Sequence, residues 1–163
     1  MRISQPIISA LAAALMLAAP VAHAEESLPF SLQVDQFLKV NADRTSMLFD
    51  APAATHAHAS QAVIATGIKY NETLDPHRGE SSPVALPLYG NWCGPGFSGP
   101  GAPIDAIDEA CMRHDLCYEH MGYFDELCDS ILTERVSRIT PQNERQRMTI
   151  FGIKAIFNGV HRK

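Results

Sequence analysis

The stretch "CMRHDLCYEH" (residues 111–120) decides the fold, because it places a histidine and an acidic residue between two cysteines. Cys111 and Cys117 each lie three residues from His114, and Asp115 follows the histidine directly. Three interpretations are open for such a group: a metal cluster, a catalytic centre held by disulfides, or an ordinary amphipathic helix. The surrounding sequence has to decide among them.

The segment "PIDAIDEACMRHDLCYEHMG" (103–122) is typical of an α-helix, with Asp105 suited to the N-cap and Gly122 to the C-terminal cap. One face repeats at helical spacing through Ile107, Cys111, His114, Tyr118 and Met121. A second helix is predicted over about 125–139. A third follows it, with Thr140-Pro141 as its cap and first helical position. This half of the chain is therefore predicted to be mainly α-helical.

The first 24 residues are typical of a secretory signal peptide. Arg2 precedes an apolar run over residues 7–19, and the segment ends in Ala22-His23-Ala24. The run is short for a transmembrane helix, which needs about 20 apolar residues. We therefore expect cleavage after Ala24 and a secreted or periplasmic protein. In that environment the four cysteines are expected to form disulfides.

The rest of the chain has the length of one domain, and its charge is unevenly distributed. Residues 25–130 contain five basic and 16 acidic residues, whereas residues 131–163 contain seven basic and two acidic ones. The basic end suits either a solvated helix surface or contact with an anionic membrane. No basic stripe is interleaved with aromatic residues, so no nucleic-acid partner is indicated. Nothing in the sequence indicates an oligomeric state.

Residues 25–88 are assigned no chemistry. The segments "SLQVDQFLKV" (31–40) and "QAVIATGIKY" (61–70) suit short strands, although either could be helical. The Ala-rich "DAPAATHAHAS" (50–60) between them is interpreted as a loop. The polar "DPHRGESSP" (75–83) is predicted to be a linker.

Two zinc sites are considered and disfavoured. His56 and His58 have no third ligand nearby, so we interpret them as solvated loop residues. His114 could use the cysteines beside it, but the spacing fits no common zinc pattern, and an exported chain favours disulfides.

The cysteine pairing is narrowed by helix geometry. Cys93, Cys111, Cys117 and Cys128 allow three connectivities. Cys111 and Cys117 lie about 9 Å apart along one helix, beyond the roughly 7 Å between Cα atoms that a disulfide tolerates. Two connectivities stay open: 93–111 with 117–128, or 93–117 with 111–128.

A bond between Cys117 and Cys128 would make an antiparallel helix hairpin with chemical consequences. Asp129 could then reach one ring nitrogen of His114 while the other nitrogen faces a water, as a general base with its orienter requires. Asp115 points about 100° further round the helix. It can face the Gly-rich segment "YGNWCGPGFSGPGAP" (89–103), and a carboxylate with backbone carbonyls suits Ca²⁺.

These segments resemble the secreted phospholipase A2 family. Its calcium loop, Tyr-Gly-x-x-Cys-Gly-x-Gly, is similar to "YGNWCGPG" at 89–96. Its active-site helix, Asp-x-x-Cys-x-x-His-Asp-x-Cys-Tyr, matches "DEACMRHDLCY" at 108–118 at every fixed position. Its second catalytic carboxylate follows a cysteine, as Asp129 follows Cys128 here. The resemblance covers roughly residues 89–135, in three separated segments that agree in order.

The resemblance implies roles for four residues in catalysis. His114 would be the base that activates water, and Asp129 would orient it with help from the hydroxyl of Tyr118. The backbone amide of Gly94, together with the metal, would stabilise the oxyanion.

The resemblance also implies the metal site and the disulfides. Asp115 would bind Ca²⁺ together with three loop carbonyls, those of Trp92, Gly94 and Gly96. Of the two open connectivities, the resemblance selects Cys93–Cys111 and Cys117–Cys128.

Four departures from the family pattern are visible. Asn91 and Ala110 stand where many members have cysteine, and Phe97 replaces a frequent glycine. The calcium loop is slightly longer, and the link between the two long helices leaves no room for the family's β-hairpin. These departures bear on calcium affinity and substrate preference rather than on the catalytic pair.

We therefore expect an exported, calcium-dependent esterase that hydrolyses the sn-2 acyl ester of glycerophospholipids at a membrane or micelle surface. The fold should be mainly α and phospholipase A2-like, with two antiparallel disulfide-linked helices after a Gly-rich Ca²⁺ loop. The catalytic domain is expected over 89–163. Residues 25–88 would be an N-terminal extension: a propeptide, a lid or an interfacial segment.

The basic C-terminal helix is the candidate for lipid contact. The alternative to an enzyme is a non-catalytic, Ca²⁺-dependent membrane- or protein-binding module on the same scaffold. Its signature would be substitution of His114 or Asp115, and both are intact.

Overall fold

The structure is a computed structural model that describes residues 27–73, 85–99 and 101–160. Three predictions from the sequence lie outside these ranges. They are the signal peptide (1–24), the linker (75–83) and the part of the basic C-terminal end formed by Arg162 and Lys163.

The described residues form six helices and one two-stranded sheet. In chain order they are α1 (Phe30–Asp35), β1 (Leu38–Val40), β2 (Met47–Phe49), α2 (Ala51–His56), α3 (Gln61–Glu72), α4 (Ala106–Met121), α5 (Glu126–Ser137) and α6 (Glu144–Val160). The two strands are antiparallel, with Lys39 opposite Leu48. The prediction of a mainly α-helical, phospholipase A2-like fold is confirmed.

The ends of α4 are set by local sequence, as predicted. The side chain of Asp105 accepts hydrogen bonds from the backbone amides of Ile107 and Asp108, both at 3.0 Å. Gly122 ends the helix with a φ of 89°, a conformation that favours glycine. A short turn then leads directly into α5, whose N-cap is Asp125.

A disulfide joins α4 to α5. Cys117 and Cys128 are bonded, with their Cα atoms 5.7 Å apart. The short link and this bond hold the two helices side by side and antiparallel. Ile131 and Val136 of α5 are buried in the interior.

Of the two structures that the sequence left open for residues 61–70, the helix is the one that forms, as α3. The hydroxyl of Ser60 accepts a hydrogen bond from the amide of Val63 at 3.3 Å and caps the helix. Val63, Gly67 and Tyr70 are buried, and their spacing is helical. A Cβ at Gly67 would lie 2.2 Å from the ring of Phe49, so the glycine lets α3 pack closely on β2.

The prediction of a loop over 50–60 is wrong in its first half, where α2 forms. A side-chain oxygen of Asp50 accepts from the amide of Ala53 at 3.0 Å. Pro52 lies in the first turn, where its missing N–H costs no helical hydrogen bond. For residues 31–40 the sequence left strand and helix both open. The segment contains β1 and all of α1 except its first residue.

The third predicted helix starts later than expected. We expected Thr140-Pro141 at its start, whereas α6 begins at Glu144. The side chain of Asn143 accepts from the amide of Gln146 at 2.9 Å and provides the cap. Asparagine is the stronger capping residue, which explains the shift.

The N-terminal segment and the disulfide-linked helices share one hydrophobic core. Its buried members include residues of both parts: Val34, Leu38, Met47, Phe49, Val63, Tyr70, Ile107, Leu116, Cys117 and Ile131. Around this core, α1 packs on α5, and α3 packs on α4. None of the helices in the described ranges combines the length and apolarity needed to cross a membrane.

A buried ion-pair network crosses the same boundary. The Nε and one terminal nitrogen of Arg113 donate to Oδ1 of Asp35, at 3.0 and 2.5 Å. Arg135 donates to the other oxygen, Oδ2, at 2.6 Å. Arg113 also donates to the backbone carbonyl of Leu38 at 3.1 Å. Asp35 therefore ties α1 to both α4 and α5.

Candidate active site

His114 and Asp129 face each other across the α4–α5 pair. The Nε2 of His114 lies 2.8 Å from Oδ1 of Asp129, and the residues are only 6% and 1% exposed. Since a carboxylate can only accept, Nε2 donates this bond, and in the neutral imidazole Nδ1 then carries the lone pair. The structure thus brings together the two residues to which the resemblance gave paired roles.

Tyr118 contacts the same pair from one turn further along α4. Its hydroxyl donates to Oδ1 of Asp129, and its ring centroid lies 4.1 Å from that of His114. Burial, followed by this hydrogen bond, raises the pKa of Tyr118 far above its ordinary value. The hydroxyl therefore stays protonated and keeps donating to the carboxylate.

Phe157 of α6 also contacts the histidine. The ring centroids of Phe157 and His114 are 4.9 Å apart, with the planes 70° to each other. No part in the site was predicted for Phe157 from the sequence. Helical periodicity could not have shown this, because it identifies an apolar face without identifying what that face covers.

Asp115 is a half-buried residue with one carboxylate oxygen unsatisfied. Its Oδ2 is buried and has no hydrogen-bond partner among the described residues. Burial raises the pKa of Asp115 well above its ordinary value; a hydrogen bond with Ser98 opposes this shift, while the charges of Glu119 and Asp108 add to it. An unpartnered buried carboxylate oxygen is costly. A bound cation would remove that cost, so this residue fits a metal ligand.

A disulfide attaches the Gly-rich loop to the helix that carries Asp115. Cys93 is bonded to Cys111, with their Cα atoms 5.1 Å apart. Cys111 and Asp115 are four residues apart on α4 and therefore share a face. The loop is held on that face, where Ser98 reaches Asp115.

The loop backbone has a shape that depends on its glycines. A Cβ at Gly94 would lie 1.9 Å from the carbonyl oxygen of Leu86, and Gly96 has a φ of 62°. The carbonyl of Gly94 accepts from the amide of Phe97 at 3.1 Å. Trp92 is buried in the same turn. A carboxylate beside a turn of backbone carbonyls is a hard oxygen donor set, which suits Ca²⁺.

The arrangement offers no thiolate for zinc. All four cysteines are in the two disulfides. Among residues 27–73, 85–99 and 101–160, no three His, Cys, Asp or Glu side chains converge into a metal-binding group. His56 and His58 are exposed.

Two cysteine positions of the family pattern are filled differently here. Ala110 packs against Leu132 and Val136 in a second apolar cluster. The side chain of Asn91 instead donates to the carbonyl of Ala102 at 2.7 Å. Apolar packing and a hydrogen bond therefore stand at the two positions where the resemblance would place cysteines.

These features together define a phospholipase A2-type scaffold, and sequence comparison establishes the family. A family model described as phospholipase A2 matches residues 68–151, about half of the chain, so the chain belongs to the phospholipase A2 family. The match begins inside residues 25–88, the segment that was predicted to be an N-terminal extension.

Curated relatives match over shorter stretches. The phospholipase A2 homolog taipoxin gamma chain of Oxyuranus scutellatus scutellatus is 48% identical over 56 residues, which is 34% of this chain and 34% of that protein. The membrane-associated phospholipase A2 of Cavia porcellus is 35% identical over 75 residues, 46% of this chain and 44% of that protein. The chain thus spans less than half the length of these relatives. No solved structure gave a match.

Proposed function

We propose that this protein is an exported phospholipase A2 that hydrolyses the sn-2 acyl ester of glycerophospholipids in a calcium-dependent reaction. The observation that carries the proposal is the buried His114–Asp129 contact at 2.8 Å, next to an unsatisfied oxygen of Asp115. A base without an adjacent cation site, or a cation site without a base, would not support this chemistry.

The proposed reaction begins with proton removal from a water molecule. His114 takes the proton at Nδ1 as the water oxygen attacks the ester carbonyl carbon. Asp129, held by Tyr118, stabilises the resulting imidazolium through the Nε2 hydrogen bond. His114 then returns the proton to the leaving alkoxide as the ester bond breaks. The products are a fatty acid and a lysophospholipid.

The carbonyl oxygen becomes negatively charged during this attack. The backbone amide of Gly94 is the proposed donor to that oxygen. Asp115 and the carbonyls of Trp92, Gly94 and Gly96 are the proposed ligands of Ca²⁺. When bound, the ion would polarise the ester carbonyl and balance the charge of the phosphate.

We expect fatty-acid release from phospholipid vesicles to require both calcium and Asp115. Chelation should reduce release to background, and Asp115→Asn should lower it by about a hundredfold or more, because metal stabilisation of a transition state is worth several kcal/mol. Vesicles labelled only in the sn-2 chain identify the bond that is cleaved. A matched control is Glu109→Gln, which removes a carboxylate that is 46% exposed on the same helix.

The same experiment has a pH dependence with a defined sign. Since protons compete with the cation for Asp115, the calcium concentration needed for half-maximal activity should rise as pH falls through its raised pKa. Without metal, a raised carboxyl pKa contributes stability at low pH, and this is lost as pH rises through that value. Full activity in chelator would contradict the proposed metal role.

A non-catalytic module is the second candidate, and one of the matched relatives is named a phospholipase A2 homolog. Calcium-dependent binding to vesicles without release of fatty acid would favour this candidate. The intact His114–Asp129 contact favours the enzyme.

We further propose that α6 docks on an anionic phospholipid surface. One side of α6 exposes Met148, Phe151 and Ile156, at 57%, 66% and 58%. Arg147 and Lys154 line an open groove of about 530 Å³ beside Phe151. Apolar side chains flanked by cations suit the interface between lipid headgroups and acyl chains.

The inner face of α6 packs against the protein, which leaves the outer face for docking on lipid. Ile150, Ile153 and Phe157 are partly buried against the protein core. The outer residues are therefore not needed to cover the core. Phe157 on the inner face contacts His114, so α6 would lie between the histidine and a lipid surface docked on the outer face.

Phe151→Ala should weaken binding to anionic vesicles by about tenfold or more, because burial of a phenylalanine is worth about 1.5–3 kcal/mol. Binding is measured by sedimentation with vesicles at two salt concentrations, and higher salt should weaken it. Phe30→Ala is the control, since Phe30 is 45% exposed but lies on α1. An equal loss in both variants, or no loss in Phe151→Ala, would reject this surface.

A further inference from the structure

Asp108, a carboxylate outside the proposed catalytic set, accepts hydrogen bonds from the backbone of the Gly-rich loop. The side chain of Asp108 is fully buried, in the first turn of α4. Its oxygens accept from the amide of Asn91 at 3.1 and 2.9 Å, the amide of Trp92 at 2.9 Å and the amide of Ile104 at 3.0 Å. Three backbone amides, from both ends of the loop, therefore converge on one side chain.

These amides are the principal solvation of a buried charge. None of the ion pairs within the described ranges includes Asp108. Hydrogen bonds to an ionised group are stronger than those between neutral groups. The loop conformation is therefore coupled to the charge of Asp108.

The backbone of the loop closely approaches this carboxylate at Gly90. Gly90 has a φ of 60°, and a Cβ there would lie 2.2 Å from Cγ of Asp108. Only glycine permits both the conformation and the contact. The position of Asp108 and the path of the loop thus determine each other.

Further hydrogen bonds connect the two sides of the loop. The carbonyl of Asn91 accepts from the amide of Gly99 at 2.9 Å, and its side chain donates to the carbonyl of Ala102. The indole nitrogen of Trp92 donates to the carbonyl of Gly101 at 3.0 Å. Asn91 and Trp92, two of the three residues whose amides Asp108 accepts, therefore also connect the two sides of the loop.

We propose that Asp108 is a positioning residue for the calcium site: its buried charge sets the loop conformation that presents the carbonyls of Trp92, Gly94 and Gly96. The inference rests on the calcium site of the proposed function. It assigns Asp108 no contact with the ion or with substrate. It predicts that loss of the charge weakens calcium binding without removing any ligand.

The test uses Trp92, which is the chain's only tryptophan and lies in the loop itself. Calcium is titrated into the full mature chain while Trp92 fluorescence is recorded. Asp108→Asn should raise the dissociation constant by about tenfold or more, the effect expected from losing charged hydrogen bonds. Glu109→Gln makes the same charge change at the adjacent, more exposed carboxylate and should leave the constant unchanged.

A second variant and a second readout separate positioning from general damage. Gly90→Ala places a Cβ against the side chain of Asp108 and should also raise the dissociation constant for calcium. Circular dichroism should show helix content unchanged in both variants. At saturating calcium, hydrolysis by Asp108→Asn should return to near the wild-type rate, whereas misfolding would not be rescued.

The outcomes distinguish this inference from the proposed function. Unchanged calcium affinity in Asp108→Asn would overturn the inference, as would a wild-type chain whose Trp92 fluorescence does not respond to calcium. If calcium binding weakens as expected but no variant, wild type included, releases fatty acid, the inference stands and the enzymatic proposal fails.

Discussion

Replacement of His114 by alanine is expected to lower phospholipid hydrolysis by about a thousandfold, the contribution typical of a positioned general base. The imidazole contacts Asp129 through Nε2, which leaves Nδ1 as the proposed acceptor of the water proton. Calcium binding should persist, since Asp115 and the loop carbonyls are untouched. Initial rates of fatty-acid release and the Trp92 fluorescence titration measure the two effects separately.

The matched control is His56→Ala. His56 is exposed at the end of α2, so its loss should leave hydrolysis unchanged. Asp129→Asn should also lower the rate, because an amide can offer its N–H to Nε2 and favour the wrong tautomer. Substantial activity in His114→Ala would refute the mechanism while leaving the family assignment intact.

Replacement of Asp35 by alanine is expected to destabilise the protein by about 3–5 kcal/mol, the cost of leaving buried charges unpaired. The variant removes the partner of Arg113, whose side chain is only 8% exposed, and of the more exposed Arg135. Urea unfolding with both disulfides intact gives the free energy of unfolding for the wild type and the variant.

Asp43→Ala is the control for this experiment, because Asp43 is an exposed carboxylate in the turn between β1 and β2. It should change the free energy of unfolding by less than about 0.5 kcal/mol. A small effect of Asp35→Ala would mean that the N-terminal segment contributes little to the catalytic part. We propose that residues 27–73 form part of the folded domain rather than a removable propeptide, and a large effect would support this.

The N-terminal segment was the least predictable part of the chain. The apolar residues of the segment 61–70 include the β-branched Val63, Ile64 and Ile68, so strand and helix patterns fit it about equally well. The helix there is decided by Ser60 at its start and by packing of Gly67 against Phe49. Packing partners distant in sequence override weak local preferences.

The sequence by itself determined the features that depend on neighbouring residues. Asp105 and Gly122 set the ends of α4, and the spacing of Cys111, His114 and Cys117 set which face each occupies. The order of short motifs carried the family resemblance, and that resemblance implied the pairing of the loop and helix cysteines. Such signals act within a few residues, where the geometry of a helix or turn is known before the fold is.

Only the tertiary structure decided which distant residues meet. Asp35 pairs with Arg113, 78 residues away in the sequence. Phe157 contacts His114 from another helix, and Asp108 gathers amides from both ends of the loop. None of these contacts has a local pattern, because each depends on the path of the chain and on the need to pair every buried charge.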